Sequence, residues 1–384
     1  MNPIQPVPPL RTAKRNRSQL LQFLCCLPLV LLAACATQQP TAKQPAEANA
    51  SIAAVAPQAA EEANPPPVRR ADDIAASASS EKIAALRSWV DQHERLYSIA
   101  APLLINSTPL CKHKAQALIG LTAKTQYSYP AYFSDAGRAA YGLDERLRVM
   151  NVLSGSGAEK SGVQRGDVLL ALDGRPLPKG PNAERDAAVM FAARMRGRSQ
   201  VRLTIARNET EMTLDVPLTQ ACTIAVELGN TDDVAGYADG RRAMITRGML
   251  AYTQSDEELA YVLAKEIAHA ILLPSPRPSM AAAIDALRQP LPGPGAAMIA
   301  RRIKPYSPVT DATADKLSLY MLARAGYKID NALPFWQKLA DRYPPAMRND
   351  YTALHPSTSY RVSVMTAVSR TVRDKVIHHW PLVP

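Results

Sequence analysis

The stretch Ser154-Gly155-Ser156-Gly157-Ala158-Glu159-Lys160-Ser161-Gly162-Val163-Gln164-Arg165-Gly166-Asp167-Val168-Leu169-Leu170-Ala171-Leu172-Asp173-Gly174 sets glycines on both sides of one apolar run. Glycine permits tight turns, and Asp167 stands where its carboxylate can cap a corner before the run begins at Val168. Working outward, Leu147-Arg148-Val149-Met150-Asn151-Val152 reads as the preceding strand and Ala183 to Met195 as a following helix. Val201-Arg202-Leu203-Thr204-Ile205 and Met212-Thr213-Leu214-Asp215-Val216 read as two further strands. The order predicts a small β-rich domain over residues 128–219.

The pattern of a small residue, Ala-x-x-x-Gly, Gly-Asp and an Asp-Gly turn resembles the central signature of bacterial PDZ domains. The resemblance implies a module that adds a peptide as an extra strand and holds its carboxylate in a backbone nest. Tyr141, Gly142 and Leu143 match that nest, with one glycine where the family's loop has two. The alternative is a spacer in which these residues only turn the chain.

Upstream, Arg11, Lys14, Arg15 and Arg17 precede an apolar stretch from Leu20 to Ala34 that is too short for a transmembrane helix. It ends in Leu32-Ala33-Ala34-Cys35, which resembles the lipobox of bacterial lipoprotein precursors. Residues 1–34 are thus expected to be a signal peptide, with Cys35 lipidated and the protein held on a membrane of the bacterial cell envelope, facing the periplasm. Losing the leader takes the net charge from +11 to +7. The charges are scattered, with no arginine-rich run or aromatic ladder, so nucleic acid is not an expected partner. Residues 35–80 are rich in Ala, Pro, Gln and Glu and read as a disordered tether. From Glu81 the stripe Ile83, Leu86, Trp89, Val90, Leu96, Ile99 and Leu103 predicts a helical entry segment over 81–127, with His93 on its polar side. Cys111 and Cys222 are the two remaining cysteines of the mature chain; in an oxidising envelope they suggest a disulfide, the alternative being two thiols buried apart.

Residues 220–384 are mainly helical by pattern. Ser255-Asp256-Glu257-Glu258 forms a capping box ahead of a helix whose apolar face is Leu259, Val262, Leu263 and Ile267. That helix carries Lys265-Glu266-Ile267-Ala268-His269. A His-Glu-x-x-His helix presents two imidazoles to one zinc from residues four apart, with the glutamate activating the metal-bound water; here lysine replaces the first histidine.

The segments Ala238-Asp239-Gly240, Ile245-Thr246-Arg247-Gly248, Ala323-Arg324-Ala325-Gly326-Tyr327 and His355-Pro356-Ser357-Thr358-Ser359-Tyr360-Arg361 come in the order seen in metallopeptidase family forty-eight, the HtpX-like and prenyl-protease-like peptidases, and resemble it. The resemblance implies an α+β fold: a mainly helical zincin-like metallopeptidase domain with the PDZ-like domain inserted. It implies Glu266 as general base, His269 and Asp311 as zinc ligands, Asp315, His355 and Arg361 in support, and Lys265 at a substituted ligand position. An ammonium has no lone pair for zinc. If Lys265 lies beside Glu266 and Asp311, it can take the place of the dication and neutralise them.

Three functions stay open on the sequence. One is a zinc endopeptidase acting on polypeptide substrates in membrane proteolysis or quality control. The others are a non-catalytic pseudopeptidase that holds polypeptide clients, and a scaffold whose PDZ-like module alone binds peptide. Zinc is the expected cofactor of the first, and none is expected for the others.

Overall fold

The computed structural model describes residues 71–274, 276–288, 303–344 and 350–384. The expected leader, Cys35 and the tether up to residue 70 lie outside these residues. Among the described residues, no helix is long and apolar enough to cross a membrane.

Helix α1 (Ala71–Asn106) begins inside the stretch whose composition reads as tether. Alanine-rich sequence extends a helix that the amphipathic part downstream has already nucleated. Its apolar stripe serves two cores. Leu86 and Val90 pack with Phe133, Leu143 and Met150, while Leu96, Ile99 and Leu103 enter the main core of the helical half.

The chain then runs through β1 (Ala115–Leu118), β2 (Leu121–Lys124), α2 (Ser134–Tyr141), β3 (Arg148–Val152), α3 (Gly157–Lys160), β4 (Val168–Leu172), β5 (Arg175–Pro176), α4 (Ala183–Met195), β6 (Gln200–Arg207), β7 (Thr210–Pro217) and β8 (Thr219–Cys222). Strands β2-β3-β4-β6-β7 form an antiparallel sheet, with β5 paired to β4 and β2 at an edge. Asp167 holds the corner before β4: its carboxylate accepts from Gln164 N at 2.8 Å and from Arg207 Nε at 2.7 Å. Gly157 is required where α3 meets β7, because an added Cβ would lie 1.5 Å from the Pro217 carbonyl oxygen.

Strand β2 belongs to this sheet, so the β-rich unit starts upstream of residue 128, and strands replace the helix expected through 127. Leu121 and Ala123 pack on the unit's core, but a four-residue strand is too short for its alternation to stand out. Strands β1 and β8 pair antiparallel, Ala115 opposite Cys222. Cys111 and Cys222 are joined by a disulfide with Cα atoms 5.7 Å apart. The unit therefore enters and leaves the rest of the chain through one stapled ribbon.

The remainder comprises β9 (Ala225–Gly229), β10 (Gly236–Ala238), β11 (Arg242–Thr246), α5 (Arg247–Tyr252), α6 (Asp256–Leu272), α7 (Pro278–Leu287), α8 (Pro308–Arg324), α9 (Ala332–Arg342), α10 (Asp350–Leu354) and α11 (Ser359–Ile377). Its sheet runs β10-β11-β9, with β11 parallel to β9 and antiparallel to β10. Every residue of α6 from Leu259 to Ile271 is buried. The sheet, α1 and α8 all pack against this helix, which explains why it is apolar on nearly every side.

Candidate functional site

Two places concentrate polar chemistry. The first lies inside the helical half. Ser255 caps α6 by accepting from Glu258 N at 3.1 Å, and the helix delivers Lys265, Glu266 and His269 to the interior. Ser307 caps α8 in the same way and sets Asp311 and Asp315 one turn apart on the face opposite. Tyr351 and His355 arrive from α10 and the residue after it, and Arg361 from the first turn of α11. Lys265, Glu266 and Asp315 are 0% exposed, and His269 and Asp311 1%.

The Lys265 Nζ lies 3.0 Å from Asp311 Oδ1 and 2.9 Å from Asp315 Oδ1. Arg361 holds the other side: its Nε donates to Asp315 Oδ2 at 2.7 Å, and its Nη1 stands 2.9 Å from Asp311 Oδ2. His269 Nε2 and His355 Nδ1 reach the same Asp311 Oδ1, at 2.9 and 2.8 Å. Glu266 is not paired to Lys265 directly. Its Oε1 accepts from the Tyr351 hydroxyl at 3.3 Å and stands 3.3 Å from His355 Nε2. The partner of Lys265 in its place is Asp315, one helical turn beyond Asp311, because the long lysine stem carries the ammonium across to α8. Around the charges, Tyr306 stacks on His269 at 3.9 Å and Tyr351 on His355 at 4.5 Å, and Trp336 lies 5.0 Å from the Lys265 ammonium. No motif in the sequence announces Tyr351 or Trp336 as neighbours of the charges.

Burial pushes the Glu266 carboxyl up to about 8, with Lys265 pulling the other way. Burial lowers His355 to about 3 and lowers His269 as well, against the pull of Asp311. Burial works to raise Asp311, but Lys265 and His355 drive it well below the carboxylate range. Asp315 is likewise depressed, by Lys265 and Arg361 against the effect of burial. The two depressed carboxylates, Asp311 and Asp315, thus lie between the side chains of Lys265 and Arg361.

His269, Asp311 and His355 bring ligand atoms within 4.8 Å of one another, a grouping able to hold a cation. The residues as arranged do not fit zinc. The ammonium beside them repels a dication and already neutralises the carboxylates.

The second place is the β-rich unit. Residues Tyr141, Gly142 and Leu143 do not form a carboxylate nest. Gly142, at φ 62°, ends α2 in the left-handed conformation; its N–H donates to Arg138 O at 2.9 Å and that of Leu143 to Gly137 O at 3.5 Å. Both donors are spent on the helix end, and Leu143 is 2% exposed. The turn that leads into the edge strand is Leu118-Ile119-Gly120-Leu121, with Gly120 at φ 92°. There Ile119 O accepts from Ala158 N and Gly120 O from Leu153 N. A trans peptide sets its N–H opposite its carbonyl, so the amides of Gly120 and Leu121 point away from the body of the unit, as a nest demands. The local signal for this turn is the Ile119-Gly120 pair directly before the four-residue strand β2. From this turn a cleft of about 550 Å³ runs between β2 and α4, walled on its far side by α1.

Residues 118–218 match the family model described as PDZ domain, and this part of the chain is a PDZ domain. Among solved structures, the HtrA3 PDZ domain bound to a phage-derived ligand (FGRWV) shares 18% identity with a TM-score of 0.22, covering 28% of this chain and 88% of that one. The HtrA-type protease AlgW with a decapeptide also shares 18% identity with a TM-score of 0.22, over 28% of this chain and 30% of that one. No curated protein sequence matches the chain.

Proposed function

We propose that this chain is a lipid-anchored envelope protein that binds polypeptides through its PDZ domain, and that its helical half is a metallopeptidase-like domain retired from catalysis. The reading of residues 220–384 as peptidase-like rests on the order of motifs around Lys265-Glu266-Ile267-Ala268-His269, and the anchoring at Cys35 on the lipobox-like leader. One observation carries the non-catalytic assignment: the Lys265 ammonium pairs with Asp311 and Asp315 at 3.0 and 2.9 Å, at the position from which a metal ligand would project. PDZ domains take an extended peptide along an edge strand, and β2 offers such an edge, with the Gly120 and Leu121 amides at its end.

The test is zinc content and casein cleavage by the purified full chain beside Lys265→His, which restores the complete His-Glu-x-x-His helix. The wild type should bind no stoichiometric zinc and leave casein intact, while the variant gains zinc. Stoichiometric zinc and cleavage by the wild type would support the other reading, a working endopeptidase that recruits His355 beside His269 and Asp311. That second reading is favoured by the closeness of these three residues.

A further inference from the structure

The groove between β2 and α4 does not open onto solvent alone. Across it, α1 presents Trp89, His93 and Tyr97, spaced one helical turn apart, and their rings form a ladder with centroid spacings of 4.6 and 5.8 Å. The spacing of four residues stacks them on one face. The His93 Nδ1–H donates to Trp89 O at 2.8 Å, which leaves Nε2 as an acceptor. Burial lowers His93, so the ring stays neutral.

Below the ladder lies Glu227 of β9. Of the other charges lining the cleft, Lys124 and Glu184 bind each other at 2.7 Å and Glu94 binds Arg165 at 2.5 Å, while Arg288 stands 3.8 Å from Asp285, which Arg242 holds at 2.6 Å. Glu227 makes no ion pair among the described residues. Burial raises its carboxyl, with Arg288, Arg242 and Lys124 opposing at longer range. Aromatic faces, a neutral imidazole acceptor and an unpaired carboxyl group, which an arriving cation draws towards its ionised form, together suit one kind of side chain, a cation on an aliphatic stem.

We propose that α1 and β9, outside the PDZ domain, form the second wall of its peptide groove and select peptides carrying arginine or lysine on the face turned away from the domain. The proposal rests on the peptide-binding reading above. A strand alternates its side chains; with its last residue turned into the PDZ groove, the second and fourth residues from the carboxyl end face α1.

The test is fluorescence anisotropy of the full chain with labelled peptides ending in an apolar residue. Arginine, alanine or glutamate occupies the second and fourth positions from that end. The arginine peptide should bind about tenfold tighter than the glutamate peptide, roughly the strength of one cation–π contact with a partly desolvated carboxylate. Glu227→Gln and Tyr97→Leu should each shrink that ratio. Glu227→Lys should invert it, an outcome that misfolding does not imitate. Equal binding of all three peptides by the wild type, or a ratio that Glu227→Lys leaves unmoved, would overturn the second wall while sparing the groove. Absence of binding by every peptide, against a scrambled control, would overturn the peptide-binding reading itself, and the second wall with it.

Discussion

Lys265 and Glu266 are neighbours on one helix and meet opposite fates. The lysine reaches across to two carboxylates, whereas the glutamate, with a tyrosine hydroxyl and an imidazole for company, is held as the neutral acid. This has a pH signature. Between its ordinary 4.5 and about 8, Glu266 keeps a proton in the folded chain that the unfolded chain has released, so stability falls as pH rises through that window. His355, lowered from 6.5 to about 3, acts in the opposite sense: below its ordinary value the unfolded chain takes up protons that the folded one refuses. His269 shifts the same way, and depressed Asp311 and Asp315 add their loss at lower pH still. Stability should therefore peak around pH 6.5. Glu266→Gln keeps the shape and removes the titration, so its melting temperature should stay level towards pH 8 where the wild type declines. A decline of equal slope in the variant would assign the alkaline limb to another group. The sequence announced Glu266, His269, Asp311, Asp315, His355 and Arg361 by motif alone. Which of them Lys265 would pair with depended on where α8 lies against α6, a tertiary fact.

The elements most legible in the sequence were those with long periodic patterns. The helix over Ala183 to Met195 and the strands around Val201 and Met212 lie where alternation and apolar spacing put them. The misjudged elements were short or shared. Strand β2 has four residues, and His93, read as being on the polar side of its helix, faces a cleft that forms only when the PDZ domain docks beside α1. The ribbon of β1 and β8 with its disulfide is a second such case, since two segments separated by 111 residues meet there. In the chain-entropy account, cross-linking a loop of that length stabilises the fold by about 4 to 5 kcal/mol. Replacing Cys111 and Cys222 together by serine should lower unfolding stability by a comparable amount, measured in urea. Loss of less than about 1 kcal/mol would mean that the β1–β8 pairing alone holds the junction.

At the scale of the whole chain, α1 determines whether the PDZ domain and the helical half behave as one body, because its two ends belong to two different cores. Leu86→Ala, a large-to-small change costing about 2 to 5 kcal/mol at a fully buried site, should accelerate amide exchange in β6 and β7 and in α6 alike. Acceleration confined to residues 118–218 would show that the halves unfold independently. The PDZ domain is written locally in the chain, since glycine turns and alternating strands act over a few residues, and motif spacing on a helix supplies the ion-pairing residues of the interior in the same local way. Long-range packing is what makes Tyr141, Gly142 and Leu143 close a helix instead of holding a carboxylate, Lys265 bridge Asp311 and Asp315, and α1 wall the groove. Each of those outcomes depends on which distant groups reach a given hydrogen-bond donor or charge first, and chain spacing carries no record of that competition.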